Sequence, residues 1–159
     1  MHKTSSTANR EPRVSVKKLT GLTIFFPTYR DAPVLPDLVE KAFQVAAKCA
    51  VDYEIVAVND GSPDNTAAVL LNLQKRFGDR LRIVTHPVNR GYGGAVKSGY
   101  RAASKEFIFY TDGDAQYDLD DLPKLVARMT DGIGLVNGYK MSRSDPCYRR
   151  LLGATYLFT

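Results

Sequence analysis

A chain of 159 residues with 44% hydrophobic and 25% charged side chains has the length and composition of one soluble domain, since a single hydrophobic core is built from about 100–200 residues. No run of about 18 apolar residues occurs, so the sequence offers no helix able to span a bilayer. The net charge of +5 sits at the ends, +4 in residues 1–20 and +3 in residues 140–159, which leaves −2 between them and argues against a nucleic-acid reader whose core is itself a basic surface.

Residues 1–18, rich in Ser, Thr, Lys and Arg with scarcely any apolar pattern, read as a flexible basic arm. Two uses stand open for it: attraction to an anionic membrane surface or phosphorylated substrate, or solubility alone. The segment has no apolar signal-peptide core.

The first strand is expected at 22–26, a β-branched and aromatic run stopped by Pro27. A helix over 33–49 follows, with Leu35, Leu38, Ala42, Val45 and Cys49 on one stripe. Cys49 reads as a packed core thiol. With Cys147 the only other cysteine and no Cys-x-x-Cys pair, reduced thiols in an intracellular setting are expected.

Further along, strands are expected at 53–58, 81–85, 107–111 and 134–137, and helices at 65–77, 93–103 and 119–129. Short apolar strands alternating with helices predict an α/β fold, a mostly parallel central sheet flanked by helices. Thr28-Tyr29-Arg30-Asp31, Asn59-Asp60, His86 to Gly91 and Asp112-Gly113-Asp114 then all fall just past strand carboxyl ends, where such sheets bind ligands.

The glycine-rich Gly91-Tyr92-Gly93-Gly94-Ala95-Val96-Lys97-Ser98 lacks the Walker A spacing. Either Gly93 and Gly94 permit close packing of helix on sheet, or a helix N-terminus here faces an anion with Lys97 one turn in. Asp112-Gly113-Asp114-Ala115-Gln116 is the sharpest chemical feature. Two carboxylates at a strand end, separated by a residue without a side chain, can converge on Mg²⁺ or Mn²⁺, which prefer oxygen ligands and leave positions for phosphate oxygens. An acidic turn before the next helix is the competing explanation.

The remaining acids divide by context. Asp118, Asp120 and Asp121 suit the start of a helix, where carboxylates favour the macrodipole, whereas Asp60 is equally suited to a ligand's base or ribose and to its own turn. His86 has no Cys or His at zinc-ligand spacing, and Ser62 has neither a nucleophile elbow nor a histidine partner in the pattern.

Pro27-Thr28-Tyr29, Val58 to Thr66, Asn89 to Ala95, and Asp112 to Gln116 with Leu122-Pro123 together resemble the family 2 glycosyltransferases of the A-type fold. Within that family they are most similar to the dolichol-phosphate mannosyltransferase and polyprenyl-phosphate glycosyltransferase branch. The resemblance implies an incomplete A-type domain over 19–159 that binds a nucleotide diphosphate sugar of the GDP-mannose or UDP-glucose type. It implies inverting transfer of the hexose to a dolichyl or polyprenyl phosphate, assisted by Mg²⁺ or Mn²⁺, at the cytoplasmic face of a membrane.

By the same resemblance, Pro27, Thr28 and Tyr29 wall the nucleotide base, and Asp60 binds base or ribose. Asp31, Asn89, Gly91 and Asp112 complete the donor set, to which the helix N-terminus reading adds Lys97. Asp112 and Asp114 are the metal and diphosphate motif, with Asp114 the direct ligand; Gln116 lies near the sugar or acceptor phosphate. Lys140 and Arg143 match a basic loop that handles phosphate, Arg143 with the catalytic group. The 149–158 segment resembles the first turns of a helix leading into acceptor-site elements.

Two departures bear on donor preference: the family has consecutive aspartates where this chain has Asn59-Asp60, and an Asn-Glu or similar pair where it has Arg30-Asp31. A metal-dependent sugar nucleotidyltransferase and a non-catalytic nucleotide-sugar-binding module are the alternatives. The first lacks its triphosphate loop, since Phe26 to Arg30 holds no glycine.

Overall fold

The computed structural model describes residues 18–138; the basic arm up to residue 17, Lys140, Arg143, Cys147 and the 149–158 segment lie outside them. The apolar run at 22–26 is the middle of a longer strand, β1 (Leu19–Thr28). Helix α1 (Leu35–Cys49) buries all five residues of the expected stripe, and β2 (Ala50–Asn59) begins directly behind it, buried on both faces from Glu54 onward. Helix α2 (Thr66–Phe77) ends where Gly78 takes φ +64° and ψ −151°, a region open to glycine because it has no Cβ. Then come β3 (Leu81–Thr85), α3 (Gly91–Ala102), β4 (Phe107–Tyr110) and the short α4 (Leu122–Val126).

Two expectations are corrected. The helix at 119–129 is a 3-10 turn, Leu119–Asp121, followed by α4, because Asp118 accepts a hydrogen bond from Asp120 N (2.9 Å) and caps a tight first turn. The strand at 134–137 does not form: those residues are irregular and Leu135 is 83% exposed. Residue type alone does not make a strand without a neighbouring edge to pair with.

The four strands are all parallel, in the order β3-β2-β1-β4. From β1 the chain builds outward through β2 and β3, then returns to place β4 on the other side of β1. The gap between the carboxyl ends of β1 and β4 is therefore the switch point where open α/β sheets hold their ligands. Helices α1, α2 and α4 cover one face over a core containing Ile24, Phe26, Leu38, Ile55 and Leu70. Helix α3 covers the other, over Phe25, Val56, Val58 and Ala95.

The close-packing glycine of α3 is Gly99, neither Gly93 nor Gly94. A Cβ on Gly99 would lie 2.2 Å from the buried Phe25 ring, whereas one on Gly93 would meet nothing within 4 Å and one on Gly94 only the Arg90 side chain. This fixes opposite signs for two substitutions. Helix propensity favours alanine over glycine by about 0.8–1 kcal/mol, but overpacking costs about 1–3 kcal/mol. Gly99→Ala is expected to lower stability by about 1–2 kcal/mol in urea unfolding, while Gly93→Ala leaves it unchanged or raises it.

Candidate functional site

Register brings the polar strand ends together. Thr28 of β1 pairs with Asn59 of β2, and Asn59 pairs with Thr85 of β3, so Tyr29, Asp60 and His86 leave the sheet side by side. On the other flank Phe25 pairs with Tyr110, which carries Asp112 to the level of Pro27. A cleft of about 420 Å³ opens there, lined from β1 by Pro27, Thr28, Tyr29 and Asp31, from β2 by Asp60, from the β3–α3 side by Asn89, Tyr92 and Ala95, and from β4 by Asp112, Gly113 and Asp114. Its size is that of a small-ligand site.

The β1 exit is held tightly. Thr28 Oγ1 donates to Val58 O (3.2 Å), Asp31 Oδ2 accepts from Tyr29 N (2.8 Å), and Arg30 N donates to Ser62 Oγ (2.7 Å). Arg30 sits at φ +64° and Ala115, just beyond Asp114, at φ +57°. Left-handed backbone at non-glycine residues costs about 1–2 kcal/mol each, and both fall on the two loops that flank the cleft. Ser62 Oγ in turn donates to Asp64 Oδ1 (2.6 Å). That hydroxyl, then Thr66, holds the Asp64 carboxyl down at about 2, which makes Asp64 an organiser of the turn into α2.

Asp60 is buried and its two side-chain contacts fall on one oxygen. Oδ1 accepts from Arg90 N (2.9 Å) and lies 2.6 Å from His86 Nδ1. Asp112 is treated likewise: Oδ1 accepts from the hydroxyls of Tyr92 (2.8 Å) and Tyr110 (3.0 Å). Burial, then the Asp112 hydrogen bond, pushes the Tyr92 hydroxyl up to about 12, so it stays a donor. Asp114 Oδ1 accepts from Gln116 N (3.0 Å). Gly113 allows this turn to lie against β1, since a Cβ there would be 2.1 Å from Pro27 O.

The electrostatics of the cleft are one-sided. It is lined by four carboxylates, Asp31, Asp60, Asp112 and Asp114, and by no basic side chain among the described residues. Burial raises the Asp31 carboxyl, the Tyr29 N–H opposes, and the charges of Asp114 and Asp64 raise it further. No cluster of three or more His, Cys, Asp or Glu able to cage an ion exists among the described residues. The donor set suits a hard cation nonetheless: Asp112 and Asp114 each have one oxygen not engaged in these bonds, and Mg²⁺ or Mn²⁺ is ordinarily completed by water and ligand phosphate oxygens.

The structure gathers Pro27, Thr28, Tyr29, Asp31, Asp60, Asn89, Asp112 and Asp114 around one space. It does not bring all the expected residues there. Lys97 is exposed on α3 and Gly91 begins that helix at φ +75°, both outside the cleft lining. Gln116 lines a neighbouring groove of about 520 Å³ beside α1, and Arg143 lies outside the described residues. Sequence reasoning misses His86, Tyr92 and Tyr110 as side chains holding the carboxylates. The signal for His86 is its place at the same sheet edge as Asp60.

A parallel sheet with an acidic ligand cleft at its switch point defines the class, an α/β domain built to hold a ligand at the carboxyl edge of its strands. Over residues 23–152 the sequence matches Glycosyl transferase family 2, and the chain belongs to that family. Among solved structures it is similar to a mannosyltransferase from Pyrobaculum calidifontis in complex with GDP-Man and Mn²⁺, at 25% identity and a TM-score of 0.58, over 70% of this chain and 32% of that one. It is also similar in fold to glucosyl-3-phosphoglycerate synthase from Mycobacterium tuberculosis in complex with UDP, at 18% identity and a TM-score of 0.59, over 87% and 51% respectively. The fold is that of the A-type glycosyltransferases. The chain spans about a third of the length of the first structure and half of the second.

Proposed function

We propose that this chain is the donor-binding part of an inverting glycosyltransferase that moves a hexose from a nucleotide diphosphate sugar, of the GDP-mannose or UDP-glucose type, to a dolichyl or polyprenyl phosphate. The observation that carries the donor half is the cleft itself. It lies at the sheet's switch point, and its four carboxylates, with no Lys or Arg in the lining among the described residues, would repel a diphosphate unless a cation offset their charge. The mannosyltransferase described above is complexed with GDP-Man and Mn²⁺, which supports a divalent ion of that kind here. Family membership favours glycosyl transfer over nucleotidyl transfer.

In this reading Pro27, Thr28 and Tyr29 flank the base and the free oxygen of Asp60 accepts from base or ribose. Asp112 and Asp114 hold Mg²⁺ or Mn²⁺. When bound, the ion offsets the negative charge that develops on the leaving diphosphate. Gln116, which lines the groove beside α1, faces the transferred sugar or its acceptor. A phosphate acceptor is already anionic and attacks without a strong general base, and a single in-line displacement inverts the anomeric carbon. Arg143 orients that phosphate through its two-pronged guanidinium and Lys140 adds charge.

The acceptor half rests on the resemblance to polyprenyl-phosphate enzymes. Among the described residues no helix is long and apolar enough to cross a membrane. We place the protein at the cytoplasmic face of a membrane through its basic ends.

Calorimetry with GDP and with UDP, each with and without Mn²⁺, tests the donor half. Binding is expected only with Mn²⁺, and Asp60→Asn is expected to weaken it by about tenfold or more, since a hydrogen bond to a charged group contributes about 1.5–3 kcal/mol. Binding that ignores both Mn²⁺ and Asp60 would remove the proposal. Incubation with polyprenyl phosphate and labelled GDP-mannose or UDP-glucose tests the acceptor half, with a lipid-linked sugar as the expected product.

A further inference from the structure

His86 is buried, and its backbone N–H and both ring nitrogens are engaged. Its backbone N–H donates to Asn59 O at 2.9 Å, which ties it to the residue before Asp60. Its Nδ1 lies 2.6 Å from Asp60 Oδ1, and its Nε2 lies 2.9 Å from Ser98 Oγ on the third turn of α3. An ionised carboxylate has no proton to give, so Nδ1–H is the donor in the first contact. A hydroxyl both donates and accepts, so Ser98 anchors the ring in either charge state. A continuous chain therefore runs from α3 through Ser98 and His86 to Asp60 in the wall of the cleft.

We infer that His86 is a positioning residue for donor recognition: anchored by Ser98, it fixes the Asp60 carboxylate so that one oxygen is occupied and the other is presented to the nucleoside. The inference rests on the reading of Asp60 as a donor contact. Arg90 N fills the second site on Oδ1, so Asp60 cannot swing without breaking two bonds. The oxygen left over carries only lone pairs, which suits it to a ligand N–H or O–H. Locking an acceptor before the ligand arrives removes its ordering cost from binding. His86 touches neither the reacting carbon nor the diphosphate in this arrangement, so its effect belongs to donor affinity and not to turnover.

The test uses two amides of different reach. In His86→Asn the amide nitrogen stands near the place of Nδ1, and in His86→Gln near that of Nε2. With UDP and GDP as probes in the presence of Mn²⁺, His86→Asn is expected to stay within about threefold of the unmodified affinity, whereas His86→Gln raises Kd by about tenfold. At saturating donor the turnover of His86→Gln stays within about threefold of the unmodified protein, a KM effect without a kcat effect. Ser98→Ala, which removes only the anchor, shifts Kd in the same direction by about threefold and decides the matter if His86→Gln does not fold. Asp60→Asn is the control. If it weakens binding while His86→Gln and Ser98→Ala do not, or if His86→Asn is as weak as His86→Gln, the positioning role is wrong and the reading of Asp60 stands. If Asp60→Asn binds as well as the unmodified chain, the reading of Asp60 itself is wrong and the inference falls with it.

Discussion

Replacing Asp114 by alanine is expected to abolish Mn²⁺-dependent binding of a nucleotide diphosphate, a loss of at least about a hundredfold, while shifting folding stability by no more than about 0.5 kcal/mol. The two halves of that expectation come from different observations. Asp114 is exposed, lies beyond β4, and its one described bond is the local one from Gln116 N, so its side chain holds no part of the core. It is also one of the acids facing a cleft that has no Lys or Arg in its lining among the described residues, so losing it removes one of the two carboxylates proposed to hold the cation. Asp112→Ala is a poorer probe, because it strands the hydroxyls of Tyr92 and Tyr110. Unfolding in urea and calorimetry with UDP, each repeated with Mn²⁺ and with chelator, separate the effects. Binding by Asp114→Ala that still depends on Mn²⁺ with unchanged affinity would assign the metal elsewhere.

Whether a feature is legible in the amino-acid sequence depends on whether it is local. The strands β1 and β2 carry apolar and β-branched runs, Leu22–Phe26 and Ile55–Val58, and α1 shows one unbroken stripe, so composition and period reveal them. Their ends are less visible: β1 continues through Gly21 and β2 starts at Ala50, because pairing with neighbours, not residue type, sets where a strand stops. The 134–137 segment is the converse case. Leu135 and Val136 suit a strand, yet nothing pairs with them among the described residues, and the chain there is irregular.

The site follows the same division. Asp112 and Asp114 stand out because a short acidic turn directly follows an apolar strand. The partner of Asp60 is hidden by the 26-residue separation and appears only once β2 and β3 are in register. Glycine roles are hidden for a similar reason. Gly99 sits within an ordinary helical pattern, and only the tertiary position of Phe25 shows why no side chain fits there.

A third such position joins fold to site, and it gives the second large expectation: Gly61→Ala should lower stability by about 2–4 kcal/mol and weaken nucleotide binding in the molecules that remain folded. Two independent penalties meet at Gly61. Its φ of +64° is left-handed, which costs a residue with a Cβ about 1–2 kcal/mol. The Cβ would also lie 2.6 Å from Asn89 N and from Val88 C, both backbone atoms that cannot rotate away. Relief requires the segment before α3 to move outward. That segment carries Asn89 in the cleft lining and Arg90, whose N–H holds Asp60 Oδ1, so the shift loosens the carboxylate that the donor is proposed to meet. Gly78 is the internal comparison, because it has nearly the same φ but nothing within 4 Å of an added Cβ. Gly78→Ala, at φ +64° and ψ −151° in a region almost exclusive to glycine, is expected to cost only the conformational part, about 1–3 kcal/mol, with nucleotide affinity unchanged. Urea unfolding beside UDP titration of the two variants therefore separates loss of fold from loss at the site, and a Gly61→Ala chain that binds UDP as well as Gly78→Ala does would show that the close approach of Val88 and Asn89 to Gly61 does not reach the donor site.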